Sequence, residues 1–279
     1  MDSSKSKIQA DDFGGRDRIS GLPDEILLHI LSYLFTKDII VTSSLSSRWK
    51  SLWKLLSISN FDFDLRQADT LSLGSVQRER FELYDCVVPS LAEAHIRIGG
   101  VTYDYSQTLL QKLARNTLEL LDRICNVKSL QLTANTLEAI SHAEKLNVDR
   151  HQAFNNLTHL TVSYGLTYYS FDVVAFMHIL HKSPNLQSLN FPTGLNLDGH
   201  ILQEVAHVPL CLKRSLKKFS ISQLKGKEED HRRFLKLILT NANVLDYFSV
   251  HCSTKYPEKK MLDEYLSGFV RSNCVYRFV

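Results

Sequence analysis

Few residues in this chain are spaced for chemistry. His178 and His181 stand i, i+3, a separation that puts two imidazoles on one helical face within reach of a shared metal ion. No third ligand lies near them, so packed or surface histidines are the expected reading. Asp62 and Asp64 alternate at strand spacing and point to the same side, as a catalytic carboxylate pair would. Two outward acids on one strand need no catalysis to account for them. Gly226-Lys227 is followed by Glu228 and lacks an upstream glycine at phosphate-loop spacing. Neither H-E-x-x-H nor G-x-S-x-G occurs. The expectation is a protein that is not an enzyme and needs no cofactor or metal.

Composition narrows the setting. The five cysteines, Cys86, Cys125, Cys211, Cys252 and Cys274, are odd in number and never spaced C-x-x-C. That argues against a disulfide framework or a cysteine zinc site and fits a reducing compartment, the nucleus or the cytoplasm. Met1 to Asp17 is polar, mixed in charge and without the apolar core of a signal peptide, so a disordered N-terminus is expected over 1–17. No apolar run approaches the roughly 20 residues that span a bilayer, so no membrane partner is expected. The formal net charge is only +3. The densest basic stretch, Lys213, Arg214, Lys217 and Lys218, is interrupted by apolar residues. It reads as a solvated face, and no nucleic-acid partner is expected.

The elements that would position a binding surface are easier to read. Pro23 fits a first helical position, where a missing N–H costs nothing, and Asp24 and Glu25 follow at the positive end of the helix dipole. Ile26 and Ile30 form one apolar row, and Leu27, Leu31 and Leu34 form a second. Further helices are expected from Thr36, with Ile39, Ile40 and Val41, and from Ser46 or Ser47, with Trp49, Leu52 and Trp53. Roughly forty residues make a weak independent core, so a partner covering the second apolar row is expected; a helical cap on the rest of the chain is the alternative.

Leu22-Pro23-Asp24-Glu25, then Ile30-Leu31-Ser32-Tyr33-Leu34, Thr36-Lys37-Asp38-Ile39-Ile40 and Leu45-Ser46-Ser47-Arg48-Trp49-Lys50-Ser51-Leu52-Trp53, resemble the F-box, closest to its plant version. Ser44 and Ser47 depart from the usual valine and basic residue. The resemblance implies binding to a Skp-family adaptor, and through it to a cullin, by Leu22, Pro23, Ile26, Ile30, Leu31, Leu34, Val41, Leu45 and Trp49.

Beyond residue 57 a pattern apolar-x-x-apolar-x-apolar recurs. It reads Val127 to Leu132, Leu157 to Val162, Leu186 to Phe191, Leu216 to Ile221 and Leu245 to Val250, with steps of 30, 29, 30 and 29 residues. Weaker copies lie at Ile58 to Phe63, near Ile96-Arg97-Ile98, and at Tyr276-Arg277-Phe278. Such a period marks a solenoid with one strand per repeat. Helical patterns fall between the strands: Leu109 to Ile124 as one helix or two, Val173 to Leu180, and Phe234 to Leu239. Val127 to Leu137 matches the leucine-rich-repeat consensus with Asn135 in the asparagine slot. Leu216, Phe219, Ile221, Leu224, Gly226, Glu228, Glu229, Leu235, Leu239, Asn241, Ala242, Val244 and Leu245 resemble the FBD region that ends plant F-box/leucine-rich-repeat proteins.

The fold expected is therefore α/β: a three-helix F-box over 18–57, then an irregular leucine-rich-repeat solenoid with parallel strands and outer helices, its repeat region over 58–209 and an FBD-like end over 210–279. Side chains alternating with the inward apolar ones would line the opposite face. These are Ser129, Gln131 and Thr133; His159, Thr161 and Ser163; Ser188 and Asn190; Lys218, Ser220 and Ser222; and Tyr247, Ser249 and His251. His159, Asn190, Lys218 and Tyr247 are the candidates for contact with an unidentified target protein. The function expected is substrate recognition for an SCF-type ubiquitin ligase. A repeat scaffold that never joins a ligase is the alternative.

Overall fold

The computed structural model describes residue 19 and residues 21–34, 36–42, 44–52, 60–64, 91–98, 107–144, 152–164, 173–197, 207–226, 228–252 and 259–279. The expected disordered stretch 1–17 lies outside them. The chain divides into two compact units, Met1–Leu56 and Ser57–Val279.

The first unit contains α1 (Asp24–Ser32), α2 (Thr36–Thr42) and α3 (Ser47–Leu52). Pro23 caps α1 from just outside it, one position earlier than its sequence signature suggests; its carbonyl accepts the Ile26 and Leu27 N–H groups at 3.1 Å. A proline serves equally well there, since its φ of −58° leads directly into the helix. Leu27 and Leu31, four apart on α1, are fully buried with Leu52, and Ile39 and Trp49 are nearly so. These side chains are the unit's interior.

The second unit is built on one parallel sheet of eight strands in the order β1 (Asn60–Asp64), β2 (Glu93–Arg97), β3 (Ser129–Thr133), β4 (His159–Ser163), β5 (Ser188–Phe191), β7 (Lys218–Ile221), β9 (Tyr247–Val250) and β10 (Val275–Phe278). The sheet is open, and the weak copies of the pattern join it as well as the strong ones. Between strands run α4 (Gln107–Arg123), α5 (Ala134–Glu144), α6 (Val173–His181), α7 (Leu210–Arg214), α8 (Glu228–Asn241) and α9 (Lys259–Ser267), each touching the next in sequence. The stretch Leu109 to Ile124 thus forms a single helix ending at Arg123. Helix α5 had no clear pattern in the sequence, since it starts directly off β3.

Register is strict. Ala94, Leu130, Leu160, Leu189, Phe219, Phe248 and Tyr276 stand opposite one another on successive strands. From Leu130 to Phe248 this row is at most 1% exposed. Phe219 stacks on Phe248 with centroids 5.2 Å apart, and Phe248 on Tyr276 at 5.7 Å. Two hydrogen-bonded ladders hold the row. The carbonyls of Ala92, Lys128, Thr158, Gln187 and Lys217 each accept two consecutive N–H groups from the next strand, all at 2.8–3.0 Å. One step earlier in each turn, Asn156 donates to the Asn126 carbonyl at 3.4 Å, Asn185 to Asn155 at 2.8 Å and Ser215 to Pro184 at 2.9 Å.

Asn135, in the slot singled out by the sequence, is buried in the first turn of α5, where its amide donates to the Ile98 carbonyl of the preceding strand at 3.4 Å. A second, smaller sheet pairs β6 (Leu195–Leu197) with β8 (Leu224–Gly226). The turn into β6 needs Gly194: its φ is +99°, and a Cβ there would lie 2.6 Å from the Gln223 carbonyl oxygen.

Three substitutions test this packing. Leu189→Ala should lower the unfolding free energy by about 2–5 kcal/mol, the usual cost of truncating a packed leucine, while Gln187→Ala on the exposed turn stays within about 0.5 kcal/mol. Gly194→Ala should cost about 1–3 kcal/mol through its left-handed backbone, plus the clash with Gln223. Urea titration of the full chain measures all three.

Candidate functional site

The first unit has more apolar surface than it can bury. Ile26 is 46% exposed, Ile30 40%, Leu34 37%, and Val41 and Leu45 each 65%. Tyr33 extends the Ile26–Ile30 row at 77% exposure. Helical periodicity explains the split: 27 and 31 face inward, so 26, 30 and 33 face out. The open row is thus the one through Ile26 and Ile30; the row of Leu27 and Leu31 belongs to the core. Of the nine residues singled out in this unit, Ile26, Ile30, Leu34, Val41, Leu45 and Pro23 are exposed and Leu22 is half-buried, whereas Leu31 and Trp49 pack inside.

Sequence reasoning missed a clamp. The Arg48 guanidinium donates from Nε to Asp24 Oδ1 at 2.9 Å and from Nη2 to the Leu22 carbonyl at 2.6 Å, and it pairs with Asp24 at 2.6 Å. It ties the start of α3 to the start of α1. Both partners of the ion pair are partly exposed, at 38% and 58%, so its Coulombic share is small; its use is to hold the Leu22-Pro23 turn in place. The signal was present as an acid after Leu22-Pro23 and an arginine before Trp49.

In the second unit the register gathers the polar candidates. Ser129, His159, Ser188, Lys218 and Tyr247 form one cross-strand row. Two residues along, Gln131, Thr161, Asn190, Ser220, Ser249 and Arg277 form another. His159, Lys218 and Tyr247 therefore share a row, and Asn190 lies in its neighbour, where Ser220 Oγ donates to its Oδ1 at 2.6 Å. His159 and Lys218 are exposed; Asn190 and Tyr247 are half-buried. The Arg277 guanidinium lies 5.8 Å from the Tyr247 ring centre.

Two of the expected outward positions are covered. Thr133 is 3% exposed because its Oγ1 turns in to cap α5, accepting the Thr136 N–H at 3.3 Å. Ser249 is 1% exposed and its Oγ has no hydrogen-bond partner among the described residues, which strand alternation alone does not anticipate.

The chemical candidates do not converge. No group of three metal-ligating side chains occurs among the described residues. His178 is half-buried and His181 exposed. Loss of hydration lowers the His181 pKa, with His207 beside it. The side chains of Asp62 and Asp64, and all of Lys227, lie outside the described residues; the backbone puts Asp62 opposite His95 and Asp64 opposite Arg97. Burial raises the thiol pKa of Cys125, Cys211, Cys252 and Cys274, so none is an activated nucleophile. Among the described residues no helix is long and apolar enough to cross a membrane.

The F-box domain profile matches residues 19–60, and the FBD profile matches residues 203–249. The chain carries an F-box and an FBD. The exposed apolar row therefore lies in the F-box, and α7, β7, β8, α8 and most of β9 lie in the FBD. An F-box/FBD/LRR-repeat protein of Arabidopsis thaliana is 42% identical over 88 residues, 32% of this chain and 20% of the relative. An F-box/LRR-repeat protein from the same plant is 51% identical over 53 residues, 19% of this chain and 17% of the relative. A second F-box/FBD/LRR-repeat protein is 43% identical over 67 residues, 24% of this chain and 15% of the relative. The matched stretches thus span a fifth or less of these relatives.

The F-box geometry yields a contrast. Leu31→Ala should destabilise the F-box by about 2–5 kcal/mol. Ile26→Ser and Ile30→Ser, on the exposed row, should each stay near about 0.5 kcal/mol. Thermal unfolding followed by circular dichroism distinguishes them.

Proposed function

We propose that this chain is the substrate-recognition subunit of an SCF-type cullin–RING ubiquitin ligase. The observation that carries the reading is the F-box itself: a small helical unit whose interior is filled by Leu27, Leu31, Ile39, Trp49 and Leu52 while Ile26, Ile30, Leu34, Val41 and Leu45 stay exposed. Complete burial of such a side chain contributes roughly 1.5–3 kcal/mol, so a partner covering several of them gains enough for stable association. F-box domains generally bind Skp1-type adaptors. The partner in this reading is such an adaptor, and through it a cullin. Leu22 and Pro23, held by Arg48, complete the contact.

The second unit then holds the target. Its parallel strands at a period near 30 residues, joined by helices, support reading it as a leucine-rich-repeat solenoid, and the polar rows through His159, Lys218, Tyr247 and Asn190 are its recognition face. The chain performs no bond-making step. It acts by proximity, holding a target lysine within reach of ubiquitin carried by the assembled ligase, and positioning of this kind lowers a barrier by several kcal/mol. Work in the nucleus or cytoplasm goes with this role.

The test is a pull-down of the full chain with a panel of Skp-family adaptors. Wild type should bind at least one member. Ile26→Ser combined with Ile30→Ser should remove most of that binding while the melting temperature holds. Failure of the wild-type chain to bind any adaptor would leave the second unit as a scaffold outside a ligase.

A further inference from the structure

The polar face of the large sheet is lopsided in charge. From β3 through β9 its strands carry no Asp or Glu. Acids stand only at the margins of that stretch, Glu93 on β2 and Asp246 on the turn into β9. Within it the register brings six side chains into a block two residues deep and three strands wide: Ser188 and Asn190 of β5, Lys218 and Ser220 of β7, Tyr247 and Ser249 of β9. Strand and residue spacing make the block roughly 10 Å by 7 Å. Lys218 is exposed and takes part in none of the ion pairs among the described residues. Ser220 gives its hydroxyl proton to Asn190 Oδ1 at 2.6 Å, so the Asn190 amide presents the hydrogens of its Nδ2. Ser249, opposite Ser220, is 1% exposed, and its Oγ has no hydrogen-bond partner among the described residues. A buried hydroxyl in that position is destabilising until an acceptor reaches it.

We propose that this block, as part of the recognition face inferred above and dependent on that reading, binds a carboxylate: an Asp or Glu side chain of the target segment. The block holds donors and no competing acid. One ammonium among neutral donors matches one negative charge, whereas a phosphate dianion calls for a second cation, and none of the six is one. Arg277 on the next strand already lies against the Tyr247 ring at 5.8 Å, so it adds positive potential and no contact. Lys218 by itself is a mobile point charge on a flexible stem. Asn190 and Ser249 are fixed by their strands, and they supply the direction that a single lysine lacks. The acid-free strands on either side let the rest of an acidic segment cross the face without like-charge repulsion.

The test selects dodecapeptides from a random phage-displayed library on the immobilised full chain carrying Ile26→Ser and Ile30→Ser, which silences the apolar row of the F-box. The enriched peptides should share an Asp or Glu. The strongest of them, synthesised with a fluorescein label and titrated with the full chain by anisotropy, should bind Lys218→Ala about tenfold more weakly than wild type. Ser249→Ala should weaken it about threefold without lowering the melting temperature, because the hydroxyl it removes has no described partner to lose. Lys218→Glu should turn the selection toward Lys or Arg, while Lys112→Glu, the same charge change on the exposed side of α4, should leave it acidic. A consensus without acids, a consensus that Lys218→Glu leaves acidic, or an affinity unchanged in both Lys218→Ala and Ser249→Ala would overturn the carboxylate site. Loss of that binding in His159→Ala or Tyr247→Ala would then keep the face as a recognition surface of other chemistry. A selection that enriches no peptide would overturn the carboxylate site and the recognition face together. The adaptor pull-down is independent of all these outcomes.

Discussion

One carbonyl per repeat carries the geometry of the second unit. The oxygens of Ala92, Lys128, Thr158, Gln187 and Lys217 each accept two consecutive N–H groups of the following strand, and that pair of hydrogen bonds pins where the strand begins. Everything downstream depends on it. A slip of one residue would send Ser188, Lys218 and Tyr247 into the core and Leu189, Phe219 and Phe248 into water. The side-chain ladder through Asn156, Asn185 and Ser215 repeats the constraint one step earlier, so each turn is tied to the last before its strand starts. With the register held, aromatic side chains far apart in sequence stack into a continuous core, and the polar side chains fall into two aligned rows, within which Ser220 donates to Asn190.

The F-box works under a different constraint. Its helices are too short to be amphipathic in the simple sense, because α1 is apolar on two faces. One face closes on α3, with the Arg48 clamp setting where the two helices start. The other meets no counterpart among the unit's described residues. A surface of this kind is costly to leave in water and readily buried when another apolar surface meets it. In contrast, the second unit presents mostly polar side chains on the face opposite its inward rows.

Among the described residues the groups that could do chemistry are held apart or quenched. The thiols of Cys211 and Cys252 are pushed up by burial, and among the described residues His178 and His181 acquire no third ligand. What the polar rows offer is an arrangement of donors, with Lys218 and Arg277 flanking Tyr247 across three strands.

Much of this was legible in the amino-acid sequence. A period near 30 residues in an apolar pattern determines which side chains point inward and that the strands are parallel, because hydrophobic spacing and connection length are local properties of the chain. The same local logic marked α1, α2, α3, α6 and α8. Which of two apolar rows on α1 stays exposed was not legible, since both satisfy helical spacing equally; contact with α3 chose Leu27 and Leu31 for the interior. Tertiary structure alone decided that Leu31 and Trp49 are core, that Arg48 reaches Asp24, that Thr133 and Ser249 are covered, and that Asn190 lies one row away from His159, Lys218 and Tyr247. Each of these depends on residues distant in sequence meeting in space, and spacing along one chain carries no record of which surfaces meet.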